Sequence, residues 1–197
     1  MQEFFAAAFG LNQSVCNKWI HLLSPILDKS IEDYRPKRTI EDVNFEEGEI
    51  YLVDATERSV QRDTYEQKKF FSGKKKRHTI KNIAFCSVFG ALLFLSPTFC
   101  GKIHDKRIVE TYEITKKNIA IYADLGFIGW TMEGAEIVLP HKKPKNTKTE
   151  KKQLSQTQID YNKAHAKIRV KIENLFAHLK VMRIIKSDRR SGYYPKL

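Results

Sequence analysis

The stretch "IYLVDATERSV", residues 50–60, constrains this chain more than any other. An apolar run, Ile50 to Val53, reads as a core strand and closes on Asp54, with Glu57 three residues later. A carboxylate at the tip of such a strand costs several kcal/mol unless it is paired or ligates a metal. The pattern recurs in "NIAIYADLGFIG", where an apolar strand closes on Asp124 and Gly126 and Gly129 suit a sharp turn. Two strands thus each deliver a carboxylate at their C-terminal ends, where ligands gather in α/β sheets.

A third acid lies on "YNKAHAKIRVKIENLFAHLKVMRII". Helical periodicity sets Ile168, Ile172, Leu175, Phe176 and Leu179 on one apolar arc, with Lys163, Lys167, Lys171, Asn174 and His178 opposite. Arg169, Glu173 and Lys180 run along the border of that arc with Ala166, which predicts Glu173 beside the core at the sheet edge. The simpler alternative is an Arg169–Glu173 surface pair at i,i+4 spacing, worth a few tenths of a kcal/mol. Joined to Asp54 and Asp124, however, Glu173 makes a set of oxygen donors that suits Mg²⁺ or Mn²⁺. Two such ions, roughly 3.5–4 Å apart, activate a water or a 3′-hydroxyl and stabilise the leaving oxygen in displacement at phosphorus.

Charge points to the same class of substrate. The chain has 197 residues, a formal net charge of +12 and a pI near 9.5, so it attracts polyanions, nucleic acid foremost. Its basic turn, "KKFFSGKKKRH", sets Phe70 and Phe71 beside Lys74, Lys75, Lys76 and Arg77. The rings can stack on bases while the cations meet phosphates, or the rings are core and the lysines solvated. Cys16, Cys86 and Cys100 are odd in number and form no CxxC pair, so neither a disulfide framework nor a zinc site is indicated. Cys100 with His104 is a weak metal pair, and Asp105 reads as a helix cap. No signal peptide is visible and the longest apolar run is broken at Ser96-Pro97, which predicts a reducing, cytoplasmic location.

The chain divides into residues 1–34, a linker at 35–48, and 49–197. The first part reads as helix, turn, helix, with Gly10 as a stop and Asn12 or Ser14 as a cap. Such a unit can enter the major groove, although an ordinary helical hairpin has the same pattern. Its Phe4, Phe5, Phe9, Val15, Trp19, Leu22 and Leu23 are more apolar surface than two short helices can cover. Beyond the linker the expected order is three strands ("EIYLVDA", one after a turn at Ser72-Gly73, and "ALLFLSPTF"), a helix over "DKRIVETYEI", the Asp124 strand and the long helix. Residues 141–152 read as a lysine-rich loop.

The stretches "VDATERSVQR", "KKFFSGKKKRHTIK", "GKIHDKRI", "ADLGFIG", "LPHKKPK" and "RVKIENLFAHLK" carry a resemblance. In this order they resemble bacterial insertion-sequence transposases of the DDE class, in the group related to eukaryotic Harbinger elements. The resemblance implies an RNase H-like α/β core over 49–197, a mixed sheet flanked by helices, behind a partial helix-turn-helix. It implies that Asp54, Asp124 and Glu173 form the acidic triad and hold two divalent ions, Mg²⁺ or Mn²⁺. Arg169 and Lys180 match the basic positions flanking the glutamate; Ala166 stands where many relatives have tyrosine. The implied partner is double-stranded DNA, met by Lys74, Lys75, Lys76, Arg77, Arg169 and Lys180, with a homo-oligomer as the active form on the bacterial nucleoid. Against relatives the chain looks trimmed at both ends, so autonomous transposition is not expected. The reading is a metal-dependent DNA strand-transfer enzyme; the alternatives are a catalytically inactive DNA-binding remnant and a host nuclease of RNase H type.

Overall fold

The computed structural model describes residues 2–32, 39–62, 67–112, 118–144 and 153–181. It falls into two units, Met1–Arg35 and Pro36–Leu197. In the first, α1 (Gln2–Ala8) packs on α2 (Gln13–Ser30). Gly10 makes the turn at φ +63, and the Asn12 side chain caps α2 by accepting from the Val15 N–H at 2.9 Å. Phe4, Phe9, Trp19, Leu22, Leu23 and Leu27 are exposed.

The second unit is built around β1 (Ile50–Ser59), which continues five residues past Asp54 and so corrects the expectation that this acid ends its strand. The ladder with β3 (Arg77–Ser87) is antiparallel and runs from Tyr51↔Ser87 to Ser59↔Thr79, which holds the polar second half of β1 extended. On the other side β6 (Ile119–Tyr122) pairs parallel to β1 over Ile50–Leu52 alone. Adding β2 (Phe71–Ser72) and β7 (Ala135–Val138) gives the order β2-β3-β1-β6-β7. β4 (Leu92–Leu95) and β5 (Phe99–Cys100) also pair with β3. The expected third strand is split because Ser96 ties its N–H and its hydroxyl to Ile83, and Pro97 has no N–H to continue the ladder. The strand β7 and a short helix α3 (Gln67–Phe70) were not anticipated.

Strand alternation sends Tyr51, Val53, Ile83 and Phe85 to one face, where they form the larger core with Ile108, Val109, Phe127 and Trp130. Ile40, Val43 and Phe45 join that core. The described part of the expected linker is therefore packed against the sheet. The helix α4 (Asp105–Val109) is shorter than the periodicity suggests, and just beyond it the Thr111 hydroxyl bonds back to the Ile108 carbonyl at 2.7 Å. On the opposite face α5 (Gln156–Val181) lays Ile172 and Phe176 on Leu52, Ala84 and Cys86, with Ile168, Leu175 and Leu179 alongside. The apolar arc read from the sequence is this contact. Residues 145–152 of the lysine-rich loop, 33–34 of the first segment with 35–38 of the linker, and 182–197 lie outside the described residues.

Candidate active site

The parallel register brings the two aspartates together. Leu52 pairs with Tyr122, and carrying the same offset two residues further aligns Asp54 with Asp124 just past the last β1–β6 pair. Alternation points Asp54 to the face of Leu52, towards α5. There its Oδ2 meets Arg169 Nη2 at 3.1 Å, while its Oδ1 accepts from the Ala55 N–H at 2.8 Å. Burial pushes the Asp54 carboxyl up to about 6; Arg169 and the Ala55 N–H oppose this, and Asp124 and Asp105 add to it. The same environment raises the buried Cys86 thiol to about 12, by burial first and then by Asp54. That thiol is inert.

Asp124 caps a 3₁₀ turn, Leu125–Phe127, with its Oδ1 accepting from the Gly126 N–H at 2.7 Å. The carboxylates crowd this glycine: a Cβ at 126 would stand 2.8 Å from Asp124 Oδ1 and 3.4 Å from Asp105 Oδ2, so the Asp124 side chain would have to shift. Asp105 therefore lies against this turn. It is held by Lys81, whose Nζ bonds Asp105 Oδ1 at 2.9 Å and the Ile103 carbonyl at 2.7 Å. The α4 cap is His104, which accepts from the Lys106 N–H at 3.4 Å, and Asp105 occupies the first turn instead. Glu57 accepts from the Thr79 hydroxyl at 2.5 Å and belongs to the β1–β3 ladder rather than to the acidic group.

From α5, Arg169 reaches Asp54. At 100° per residue Glu173 is about 40° further from the buried stripe than Arg169, and it is exposed. The Arg169–Glu173 surface pair is not formed either, because the guanidinium turns inward to Asp54. Lys180 lies over the Phe176 ring, 5.8 Å from its centroid. Among the described residues no three His, Cys, Asp or Glu side chains are grouped to hold a metal ion. Cys100 and His104 line one pocket, but among the described residues they belong to no group of three that could hold a metal. Lys74, Lys75, Lys76 and Arg77 are exposed in and beside the β2–β3 turn, where Lys76 adopts φ 54.

Two side chains of this region escaped sequence reasoning. Lys81, 8% exposed, sits in an apolar strand where only its neighbours' burial reveals it. His165, 3% exposed, hides in the lysine-rich start of α5; its Nε2 is 3.1 Å from the Val138 carbonyl, and its ring lies 5.2 Å from that of Tyr122. Its i−4 spacing from Arg169 was the available signal.

Residues 53–193 match the family described as DDE superfamily endonuclease. The chain belongs to that family. A DDE endonuclease relative in Microchaete diplosiphon, named "Probable transposase for insertion sequence element IS702", is 28% identical over 187 residues. The match covers 94% of this chain and 66% of that protein, so the chain spans a little under two thirds of its relative. No solved structure matches this chain. The mixed α/β architecture is compatible with the family. No helix among the described residues is long and apolar enough to cross a membrane.

Proposed function

We propose that the chain is the catalytic part of a DDE-class insertion-sequence transposase, which cleaves and joins DNA strands by metal-dependent phosphoryl transfer. The observation that carries this reading is that Asp54 and Asp124 each lie two residues past the last parallel pair, Leu52↔Tyr122, close enough for Asp124 to raise the Asp54 carboxyl. Burial is the main cause of the elevated Asp54 carboxyl, and the neighbouring carboxylates of Asp124 and Asp105 add to it against the pull of Arg169. These oxygen donors fit a hard divalent ion, and Arg169 leaves its buried Nε without a hydrogen-bond partner among the described residues. In this reading Asp54 and Asp124 hold Mg²⁺ or Mn²⁺, two ions in all. Glu173 is the third donor in this reading, although it is not grouped with the aspartates in this structure. Bound metal would supply an activated nucleophile and a stabilised leaving oxygen.

The chain's own cations have separate work. Arg169 neutralises Asp54 until metal takes that role, and its guanidinium then meets phosphate. Lys180 and the Lys74–Arg77 turn bind the duplex backbone, with α1 and α2 as a partial helix-turn-helix DNA-binding segment. The core folds as an RNase H-like domain and acts as a homo-oligomer on the nucleoid, in the bacterial cytoplasm.

The test combines thermal melting with nicking of a supercoiled plasmid. Mg²⁺ or Mn²⁺ is expected to raise Tm by mass action and to support nicking. Asp124→Asn should lose both effects while its metal-free Tm equals or exceeds the wild type, because repulsion is relieved. A wild type whose Tm ignores metal and which nicks nothing rejects the enzyme; if it still binds DNA, the inactive remnant takes its place.

A further inference from the structure

Beside α4 the surface is concave and basic. One pocket of about 560 Å³ is lined by Lys69, Lys102, Lys106 and Arg107, with Glu110 as its acid. Lys106 reaches that glutamate at 3.4 Å, which leaves the lining strongly positive. A second pocket, about 640 Å³, shares Lys102 and is lined also by Lys68, Phe71 and His78. The Lys102 N–H bonds the Lys69 carbonyl at 3.3 Å, tying the walls together. The two pockets adjoin at Lys102, and this pair of pockets, the groove, neighbours the acidic site through α4. Of three consecutive residues, Asp105 lies against the Asp124–Gly126 turn while His104 and Lys106 line the groove.

Within this basic concavity Phe71 is 42% exposed. It meets His78 edge-to-face, with centroids 5.7 Å apart, which fixes the ring. Phe70, by contrast, is half-buried. Cations tracking a groove around an available aromatic ring are what an unpaired strand requires, because each splayed base offers a face to stack. A duplex stacks its bases on one another and shows only their edges, so it has nothing to set against a ring inside a pocket. We propose that this groove holds a single-stranded stretch of DNA leading to the carboxylate site, with a base stacked on Phe71 and flanking phosphates on Lys102, Lys106 and Arg107. The inference rests on the transposase reading for the nature of the strand, and it adds a strand path from the Phe71–His78 pair at the base of the Lys74–Arg77 turn towards α4.

The test is anisotropy of a labelled oligothymidine of about a dozen nucleotides with the full chain in EDTA, beside a duplex of equal length. Phe71→Ala is expected to weaken single-strand binding about tenfold and duplex binding less than about twofold, while Phe71→Trp retains the single-strand affinity. Lys102→Ala with Lys106→Ala should flatten the single-strand salt dependence by about 1.4 in log–log slope. An unchanged single-strand affinity in Phe71→Ala, at wild-type Tm, overturns the proposal; so do equal losses on both DNAs. Binding in EDTA needs no cleavage, so the two readings fail separately. Phe71-dependent binding without plasmid nicking keeps the groove and rejects the enzyme, and nicking with Phe71-independent binding does the reverse.

Discussion

Asp54 shows how one side chain can weaken a fold to serve a site. Its carboxyl titrates near 6 in the native state against 3.8 for the unfolded chain. Below the lower value both states are protonated and nothing is lost. As pH rises the unfolded state ionises first, so stability falls through the interval and the loss is constant above 6. The shift corresponds to about 3 kcal/mol. Urea unfolding of wild type and Asp54→Asn, compared without metal from about pH 4 to about pH 6.5, should therefore show the wild type losing about 2 kcal/mol of this relative to the variant. A flat difference would mean that the carboxyl is not held as the Arg169 contact and its burial require. His165 works with the opposite sign. Burial and then Arg169 press its pKa down, against the Val138 hydrogen bond, so its contribution is present above pH 6.5 and is lost as pH falls.

At the scale of elements, the turn after β6 sets the position of Asp124. Gly126→Ala removes no acid, yet its Cβ would stand 2.8 Å from Asp124 Oδ1, a distance at which something must shift. The variant is expected to lose most of the Mg²⁺-dependent rise in Tm, approaching Asp124→Asn, in paired melts with and without metal. An undiminished rise would detach Asp124 from the metal. This turn was legible in "ADLGFIG" because an apolar run, an acid and two glycines are local signals. So was the α5 contact face, whose arc follows from spacing alone. The second half of β1 was not, since Thr56 to Ser59 look like loop until the partners Asn82 to Thr79 are known. Ile40, Val43 and Phe45 were masked by the acids around them, and their burial depends on a core assembled from distant strands. Glu173 marks the limit: its helix phase was readable, but a phase at the border does not say which neighbour turns inward, and Arg169 did.

For the molecule as a whole, two surface properties pull against each other. A formal charge of +12 keeps copies apart at low salt. The α1–α2 unit meanwhile exposes a groove of about 610 Å³ lined by Phe5, Phe9, Trp19, Leu23 and Leu27, among others. Apolar patches of this kind promote association, and screening decides when they can meet: the Debye length shrinks from about 30 Å at 0.01 M salt to about 3 Å at 1 M. The chain is therefore expected to sediment as a monomer in dilute buffer and to associate increasingly as salt rises, the reverse of a contact held by ion pairs. Leu23→Lys with Leu27→Lys should abolish that association. It should leave the melting of the β1–β3 core unchanged, because both leucines lie in the other unit and are at least half exposed, Leu23 at 50% and Leu27 at 62%. A single sedimenting species at every salt concentration would show that the apolar face of the helix pair drives no assembly, and the oligomer would then have to be built on the sheet domain or on DNA.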